Sequence, residues 1–206
     1  DMETIAPDKQ TICCSRSFGD DVQTFDELRE AVCTFASQAA IKIRRQDLAA
    51  GAVSVFVGTN IHAPDHVEQY HNSFGVNLPV ASFDTREIAT AAVHCLGVIY
   101  RSRHAYKKAG VMLHRLTKRT HIPPHLFDRR DHERTYRLMQ TIDSINRDHG
   151  RGTIRIAASR SFELMAGRTV GWKGRCERRS PRYTTRWDEF PVVRAVRITP
   201  CVDGIA

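Results

Sequence analysis

The chain has 206 residues, of which 41% are hydrophobic, and a formal net charge of +8. This length allows one or two domains, and the hydrophobic content is sufficient for a core. No apolar run is long enough to span a membrane, and we expect no signal peptide. The six cysteines include no CxxC pair, which argues against a zinc ribbon, so we expect reduced thiols in a cytoplasmic protein.

The positive charge is concentrated in the second part of the sequence. Residues 1–120 contain 14 basic and 13 acidic side chains, whereas residues 121–206 contain 17 and 10. A basic tail beside a nearly neutral domain indicates a polyanionic partner, and nucleic acid is the most common one. The alternative is a solvated tail whose charge serves only solubility.

The first predicted elements are a strand and a helix. Residues 8–18 alternate, with Ile12, Cys14 and Phe18 on one side, as in a strand. Asp26 can cap the helix that follows. The apolar residues of this helix recur at helical spacing and are Leu28, Ala31, Val32, Phe35, Ala36, Ala39 and Ile43.

Two strands, a helix and a last strand follow in that order. Residues 53–58 and 72–78 alternate like strands, Asp84 begins the second helix, and residues 106–116 form the last strand. The side chains expected to point inward are Phe74, Val76 and Leu78 in the strand at 72–78, Ile88, Ala91, Ala92, Cys95 and Ile99 in the helix, and Ala109, Val111 and Leu113 in the last strand.

The order strand, helix, strand, strand, helix, strand predicts an α+β fold. This order is the split βαβ repeat of ferredoxin-like domains, in which two helices cover one face of a four-stranded sheet. The other face of such a sheet is open to solvent or to a ligand. A small, partly irregular basic region is expected to follow this domain.

The sequence after the last strand of the sheet is less regular. Two prolines interrupt residues 120–131, and a third helix is predicted over residues 131–149. Ile154 and Ile156 can form a short strand, and later residues are expected to be irregular or ordered by a partner. The residues expected on the inner side of the third helix are Leu138, Ile142 and Ile145.

No pair of carboxylates is placed for two-metal phosphoryl-transfer chemistry. Asp20 and Asp21 lie in a predicted turn, and Asp188 and Glu189 lie in the basic tail, where surface or capping roles suit them. We therefore expect no catalytic residue, no metal site and no cofactor in this chain.

Four short motifs identify a family that the chain resembles. They are SRSFG at residues 15–19, YKKAGVML at 106–113, TIDSINRDHGRGT at 141–153 and SPRYTTRWDEFP at 180–191. In this order they resemble the C-terminal part of the UmuC-like proteins, which belong to the Y family of translesion DNA polymerases.

The resemblance implies a domain organisation and a set of partners. Residues 1–120 would be a little-finger domain, residues 121–131 a linker, and residues 132–206 a UmuC-type C-terminal region. The catalytic palm, with its carboxylates and magnesium, would lie upstream, so this chain alone would be inactive. The implied partners are a DNA primer–template, processed UmuD, the recombinase RecA and the sliding clamp, all in SOS repair and mutagenesis.

The residues predicted to contact DNA lie at the edge of the sheet. Arg16, Ser17 and the amide of Gly19 end the first strand, and Lys107 and Lys108 begin the last one. Lysine and arginine bind phosphates without reading sequence, as a polymerase that moves along any template requires. The alternative is that these cations only keep a strand edge soluble.

A clamp-binding peptide is predicted in the linker at Leu126 and Phe127. UmuC-like chains resemble one another here in a peptide of Gln, Leu, any residue, Leu and Phe, and this chain has Pro123 in place of the Gln. Two apolar residues in a polar linker suit a hydrophobic pocket on a partner. The alternative is that they pack on the chain's own domain.

The tail combines cations with aromatic residues. Arg182 and Arg186 lie beside Tyr183 and Trp187, and guanidinium groups bind phosphate while aromatic rings stack on bases. The alternative is a local cluster in which the arginines stack on the aromatic rings.

Two other classes of function stay open at this point. One is a freestanding nucleic-acid-binding module, and the other is a protein-interaction adaptor that does not contact DNA. The reading frame upstream of Asp1 would separate these classes from a polymerase. Palm carboxylate motifs in frame would identify a polymerase, whereas a start codon just before Asp1 would favour a module.

Overall fold

The structure is a computed structural model that describes residues 9–64, 68–123, 128, 130–150, 152–157, 186 and 188. The chain divides into two compact units, Asp1–Arg175 and Cys176–Ala206. All helices and strands given below belong to the first unit. In the second unit only Arg186 and Asp188 are described, and both are exposed.

The described residues of the first unit form one four-stranded antiparallel sheet and three α-helices. Its elements in chain order are β1 (Thr11–Val22), α1 (Phe25–Arg44), β2 (Leu48–Thr59), β3 (His71–Ser82), α2 (Thr85–Ile99), β4 (Tyr106–Lys118), a short 3-10 turn (Arg119–His121) and α3 (His132–Asp148). The strand order across the sheet is β1-β4-β2-β3. The predicted fold class is confirmed, with α1 and α2 packed together on one face of the sheet.

The core lies between this face of the sheet and the two helices. The predicted inner residues of α1 are all buried, and so are Ala109, Val111 and Leu113 of β4. Val53, Val55 and Val57 of β2 fill the same layer. Each fully buried side chain of this size contributes about 1.5–3 kcal/mol, so this layer is the main source of stability.

The start of α1 differs from the prediction. Thr24, not Asp26, is the N-cap: its Oγ1 accepts from the Glu27 amide at 3.3 Å and donates to the Glu27 carboxylate at 2.7 Å. This reciprocal pairing resembles a capping box and satisfies an amide that the helix leaves unbonded. Asp26 instead pairs with Arg29 on the helix surface. Asp84 caps α2 as predicted, accepting from the Arg86 amide at 2.8 Å.

The predicted inner face of α3 is confirmed in part: Ile142 and Ile145 are half-buried, but Leu138 does not belong to this face. Met139 is buried, whereas Leu138 is 44% exposed. One residue corresponds to about 100° of helix rotation, which is enough to move a side chain from the protein to solvent. Ion pairs orient this polar helix as much as apolar residues do. The spacing of apolar residues in the sequence could not indicate the contribution of the ion pairs.

Two further expectations about side chains and strands are corrected. Phe74 pairs with the buried Val55 and so lies on the predicted inner face, but it is 37% exposed because β3 is an edge strand. Residues 152–157 contain no strand, and the Ile154 backbone bonds instead to the Asn146 side chain. Both of these bonds are 2.9 Å long, so a side-chain amide takes the place of a strand partner.

Candidate nucleic-acid interface

The face of the sheet away from α1 and α2 carries small and polar side chains. Because side chains alternate along each strand, residues paired across the sheet lie in rows on this open face. One row joins β1, β4, β2 and β3 through Ser17, Lys108, Gly58 and His71, and the next through Ser15, Gly110, Phe56 and Ser73. No helix in the described ranges covers these rows.

Glycines leave room for neighbouring rings on this open face. A Cβ on Gly110 would overlap the Phe56 ring and the Ser15 Cβ, so the absent side chain leaves room for that ring across β4. A Cβ on Gly58 would lie 2.5 Å from Nδ1 of His71. Glycine within a strand often marks a place where another group approaches the backbone closely.

The polar groups of the open face can bind phosphate and stack on sugar or base. The Lys108 ammonium lies 5.9 Å from the centre of the Phe56 ring. Ser54 Oγ and His114 Nε2 are hydrogen-bonded at 2.7 Å, and Ser15, Ser17 and Ser73 are exposed. Cations and hydroxyl groups bind the phosphates of nucleic acids, and aromatic rings stack on their bases.

The structure separates Arg16 from the residues predicted alongside it. Ser17 stands directly opposite Lys108, so these two side chains share the open face. Arg16 stands opposite Ala109, whose side chain is in the core, and therefore lies on the helix side of the edge strand. A one-residue change in a strand reverses the face, which is why neighbours in the sequence diverge here.

Lys107 lies in a β-bulge and contacts the chain itself. Gly58 pairs with Lys108 and Thr59 with Tyr106, so Lys107 has no partner on β2. Its ammonium donates to the Gly19 carbonyl at 3.1 Å and lies 3.2 Å from the Asp21 carboxylate. Bulges redirect side chains, and this one directs a lysine to the irregular end of β1.

The remaining predicted residues are in the linker and the tail. Leu126, Phe127 and Arg182 lie outside the described residues, and Arg186 is exposed.

The residues on either side of the linker peptide are described. Ile122 packs against the core. The Asp128 carboxylate accepts from Arg130 and lies 2.7 Å from Nε2 of His132. The bonds from Arg130 hold the pKa of Asp128 well below its usual value.

Residues that the sequence analysis missed are Phe56, Gly110 and His114. Gly110 lies within the YKKAGVML motif, and a glycine inside an alternating strand is a signal of close approach. Phe56 gave no such signal, since a phenylalanine in a strand usually points to the core.

The described residues contain no group of side chains placed to hold a metal ion.

Cys14, Cys33 and Cys95 are buried, and burial raises the pKa of Cys33 to about 11. The Cys33 thiol is therefore protonated at neutral pH and does not act as a nucleophile. None of the helices that the structure describes is long and apolar enough to cross a membrane.

Among the similar solved structures is a complex of the beta-clamp processivity factor and the little finger domain of PolIV. It aligns over 59% of this chain and 96% of its own, with 10% sequence identity and a TM-score of 0.36. At that TM-score the likeness supports no conclusion about this chain.

Sequence comparisons identify relatives along nearly the whole chain. Protein UmuC of Salmonella typhimurium (strain LT2) is 37% identical over 92% of this chain and 43% of its own length. Protein SamB of Salmonella typhimurium is 38% identical over 94% and 44%, and Protein MucB of Escherichia coli is 35% identical over 93% and 43%. The chain therefore spans less than half the length of these curated relatives.

Two family models match consecutive parts of the chain. A domain of unknown function (DUF4113) matches residues 136–193, which include most of α3. The model of the impB/mucB/samB family C-terminal domain matches residues 9–125, which are more than half of the chain and contain the whole sheet with α1 and α2. The resemblance to UmuC-like proteins is confirmed, and the chain belongs to the impB/mucB/samB family.

Proposed function

We propose that this chain is the DNA-holding C-terminal part of an error-prone translesion DNA polymerase that acts in SOS repair and mutagenesis. The observation that carries the proposal is the open face of the sheet, where the Phe56 ring occupies the space over Gly110 and lies beside Lys108. Family membership supports it, since the relatives UmuC and SamB align along nearly the whole chain.

The chemistry of the open face suits contact with a DNA backbone and not with base edges. Ser15, Ser17 and Lys108 offer hydroxyl and ammonium donors, which bind phosphate regardless of sequence. Within the described ranges no helix protrudes from this face to enter a major groove. A polymerase that passes damaged templates needs this kind of grip, because it must hold duplexes of any sequence.

Catalysis belongs, in this proposal, to a part of the polymerase outside the chain. Magnesium and nucleotide would bind in the palm, as the resemblance to Y-family polymerases implies. The chain would hold primer–template near the lesion and bring the polymerase to its partners, processed UmuD, RecA and the sliding clamp.

Replacing Lys108 with Gln should weaken duplex binding and reduce its salt dependence. One lost phosphate contact lowers the slope of log K against log salt by about 0.9. Fluorescence titrations of labelled duplexes over a salt series measure this slope. Arg134→Gln is the matched control, because it removes one positive charge from the exposed surface of α3.

The control separates a local contact from an effect of net charge. Equal changes in Lys108→Gln and Arg134→Gln would contradict a phosphate contact on the open face. A wild-type slope near zero would favour the protein-interaction adaptor instead.

Replacing Leu126 and Phe127 with Ala should weaken binding to the sliding clamp and leave DNA binding nearly unchanged. Two apolar anchors lose their buried area, whereas the proposed phosphate contacts lie on the sheet. Isothermal titration calorimetry with purified clamp measures the first effect, and duplex titration the second. Absence of clamp binding by the wild-type chain would mean that Pro123 has removed the function of the peptide.

The tail arginines Arg182 and Arg186 are proposed as a second DNA contact. Support comes from their place in the most basic part of the sequence, beside aromatic residues. The local packing cluster stays the alternative for this pair of arginines.

A further inference from the structure

A basic pocket lies at the outer edge of β1, away from the residues discussed so far. The last turn of α1 and the start of β1 enclose a surface pocket of about 480 Å³. The residues that line it are Lys9, Thr11, Ile12, Cys13, Lys42, Arg45 and Gln46. Apart from the buried Ile12, these lining residues are all exposed.

Three cations converge in this basic pocket, and none of the described residues that line it is a carboxylate. Among the described residues, Lys9, Lys42 and Arg45 form no ion pair, and Lys42 Nζ lies 3.5 Å from the Cys13 carbonyl. Neighbouring Arg44, in contrast, is paired with Asp143 at 2.7 Å. Like charges held close together repel one another, and an anion between them removes this cost.

The helix dipole explains only part of this arrangement. Cations in the last turn of a helix are favoured by the partial negative charge there, which accounts for Lys42 and Arg45. Lys9 precedes β1 and is brought to the same pocket by the sheet, so its presence needs another reason. The hydroxyl of Thr11 and the amide of Gln46 add neutral donors of the kind that phosphate oxygens accept.

The basic pocket continues the open face of the sheet at the end opposite Lys108. Thr11 pairs with His114, and Ser17 pairs with Lys108. His114 and Lys108 are six residues apart on β4, which corresponds to about 20 Å. One phosphate cannot reach both places, so the pocket and Lys108 would contact different phosphates.

We propose that this basic pocket binds one phosphate of a nucleic-acid backbone, extending the interface around the edge of β1 onto α1. The inference rests on the proposed function, because the ligand is a phosphodiester of the duplex held on the open face. Free phosphate or a nucleotide shares this chemistry, and the experiment distinguishes these sources.

The test uses the Lys42→Gln, Arg45→Gln double variant in duplex titrations over a salt series. We expect the slope of log K against log salt to fall by about 0.9 for one phosphate. Combined with Lys108→Gln, the losses in log K should add, because distant sites act independently. The matched control is the Arg134→Gln, Arg137→Gln double variant, which removes two positive charges from the exposed surface of α3.

The outcomes distinguish failure of this inference from failure of the proposed function. An unchanged slope in the pocket variant, with tight binding by the wild-type chain, overturns the pocket alone. Absence of duplex binding by the wild-type chain overturns the proposed function and this inference with it. If inorganic phosphate shifts the NMR signals of the Thr11 and Gln46 amides and duplex DNA does not, the pocket serves a free phosphate and the inference is overturned.

Discussion

Replacing Asp143 with Ala should lower the free energy of unfolding by about 3–5 kcal/mol, because it leaves a buried arginine without its counter-ion. Arg44 Nε and Nη2 donate to the two carboxylate oxygens of Asp143 at 2.8 and 2.7 Å. The Arg44 side chain is 4% exposed and that of Asp143 is 17% exposed. Arg44 Nη1 also donates to the Phe83 carbonyl and to Thr85, so the guanidinium cannot leave for solvent without losing further bonds.

Urea unfolding of the variant and wild-type chains measures this effect. Glu133→Ala is the control on the same helix: its carboxylate is 62% exposed and lies 3.7 Å from Arg119 and 4.0 Å from Arg137. Such exposed pairs contribute little, so we expect a change within about 0.5 kcal/mol. An Asp143→Ala variant as stable as Glu133→Ala would contradict the importance of this ion pair for the packing of α3.

A double replacement tests the reason for the loss. Combining Arg44→Met with Asp143→Leu removes both charges and keeps apolar volume, and such exchanges of buried pairs are often neutral or stabilising. We therefore expect the double variant to regain much of the stability lost in Asp143→Ala. A double variant that is less stable than the single one would show that the bonds from Arg44 to Phe83 and Thr85 matter more than the charge pair.

Replacing Gly110 with Ala should impair both stability and DNA binding. The new methyl group would overlap the Phe56 ring and the Ser15 Cβ, so the ring must leave its position on the open face. Overpacking of this kind costs about 1–3 kcal/mol. Loss of the flat surface beside Lys108 should also weaken duplex binding at fixed salt.

Gly97→Ala is the matched control for this substitution. A Cβ at Gly97 has no neighbour within 4 Å, and the residue lies in α2, where Ala is favoured over Gly by about 0.5–1 kcal/mol. Thermal melts should therefore move in opposite directions for the two variants. Unchanged duplex affinity in Gly110→Ala, at a protein concentration where it is folded, would contradict a role for Phe56 in binding.

The periodicity of the sequence was sufficient to predict most of the fold. Strict alternation in β2 and β4 and helical spacing in α1 arise from local geometry, and each of these patterns predicted its burial correctly. The strand order β1-β4-β2-β3 was beyond reach, because it depends on pairing between distant strands. The N-cap at Thr24 was missed because Asp26 is an equally suitable residue type two positions later.

The candidate site was less predictable than the fold. Ser17 and Lys108 were identified from the strand ends, but only the register shows that they face each other and that Arg16 does not. The bulge at Lys107 has no sequence signature, since its neighbours alternate normally. The basic pocket combines Lys9 with Lys42 and Arg45, which are brought together only when α1 returns along β1.

NMR titration with duplex DNA tests most directly whether the open face of the sheet is the DNA-binding surface. Met112 lies on that face, paired with Cys13 and Ser54, whereas Val98 on α2 and Leu138 on α3 are exposed away from it. With methyl-labelled protein, duplex DNA should shift the Met112 signal and leave those of Val98 and Leu138 in place. Shifts at Val98 or Leu138 with an unchanged Met112 signal would contradict the proposed interface.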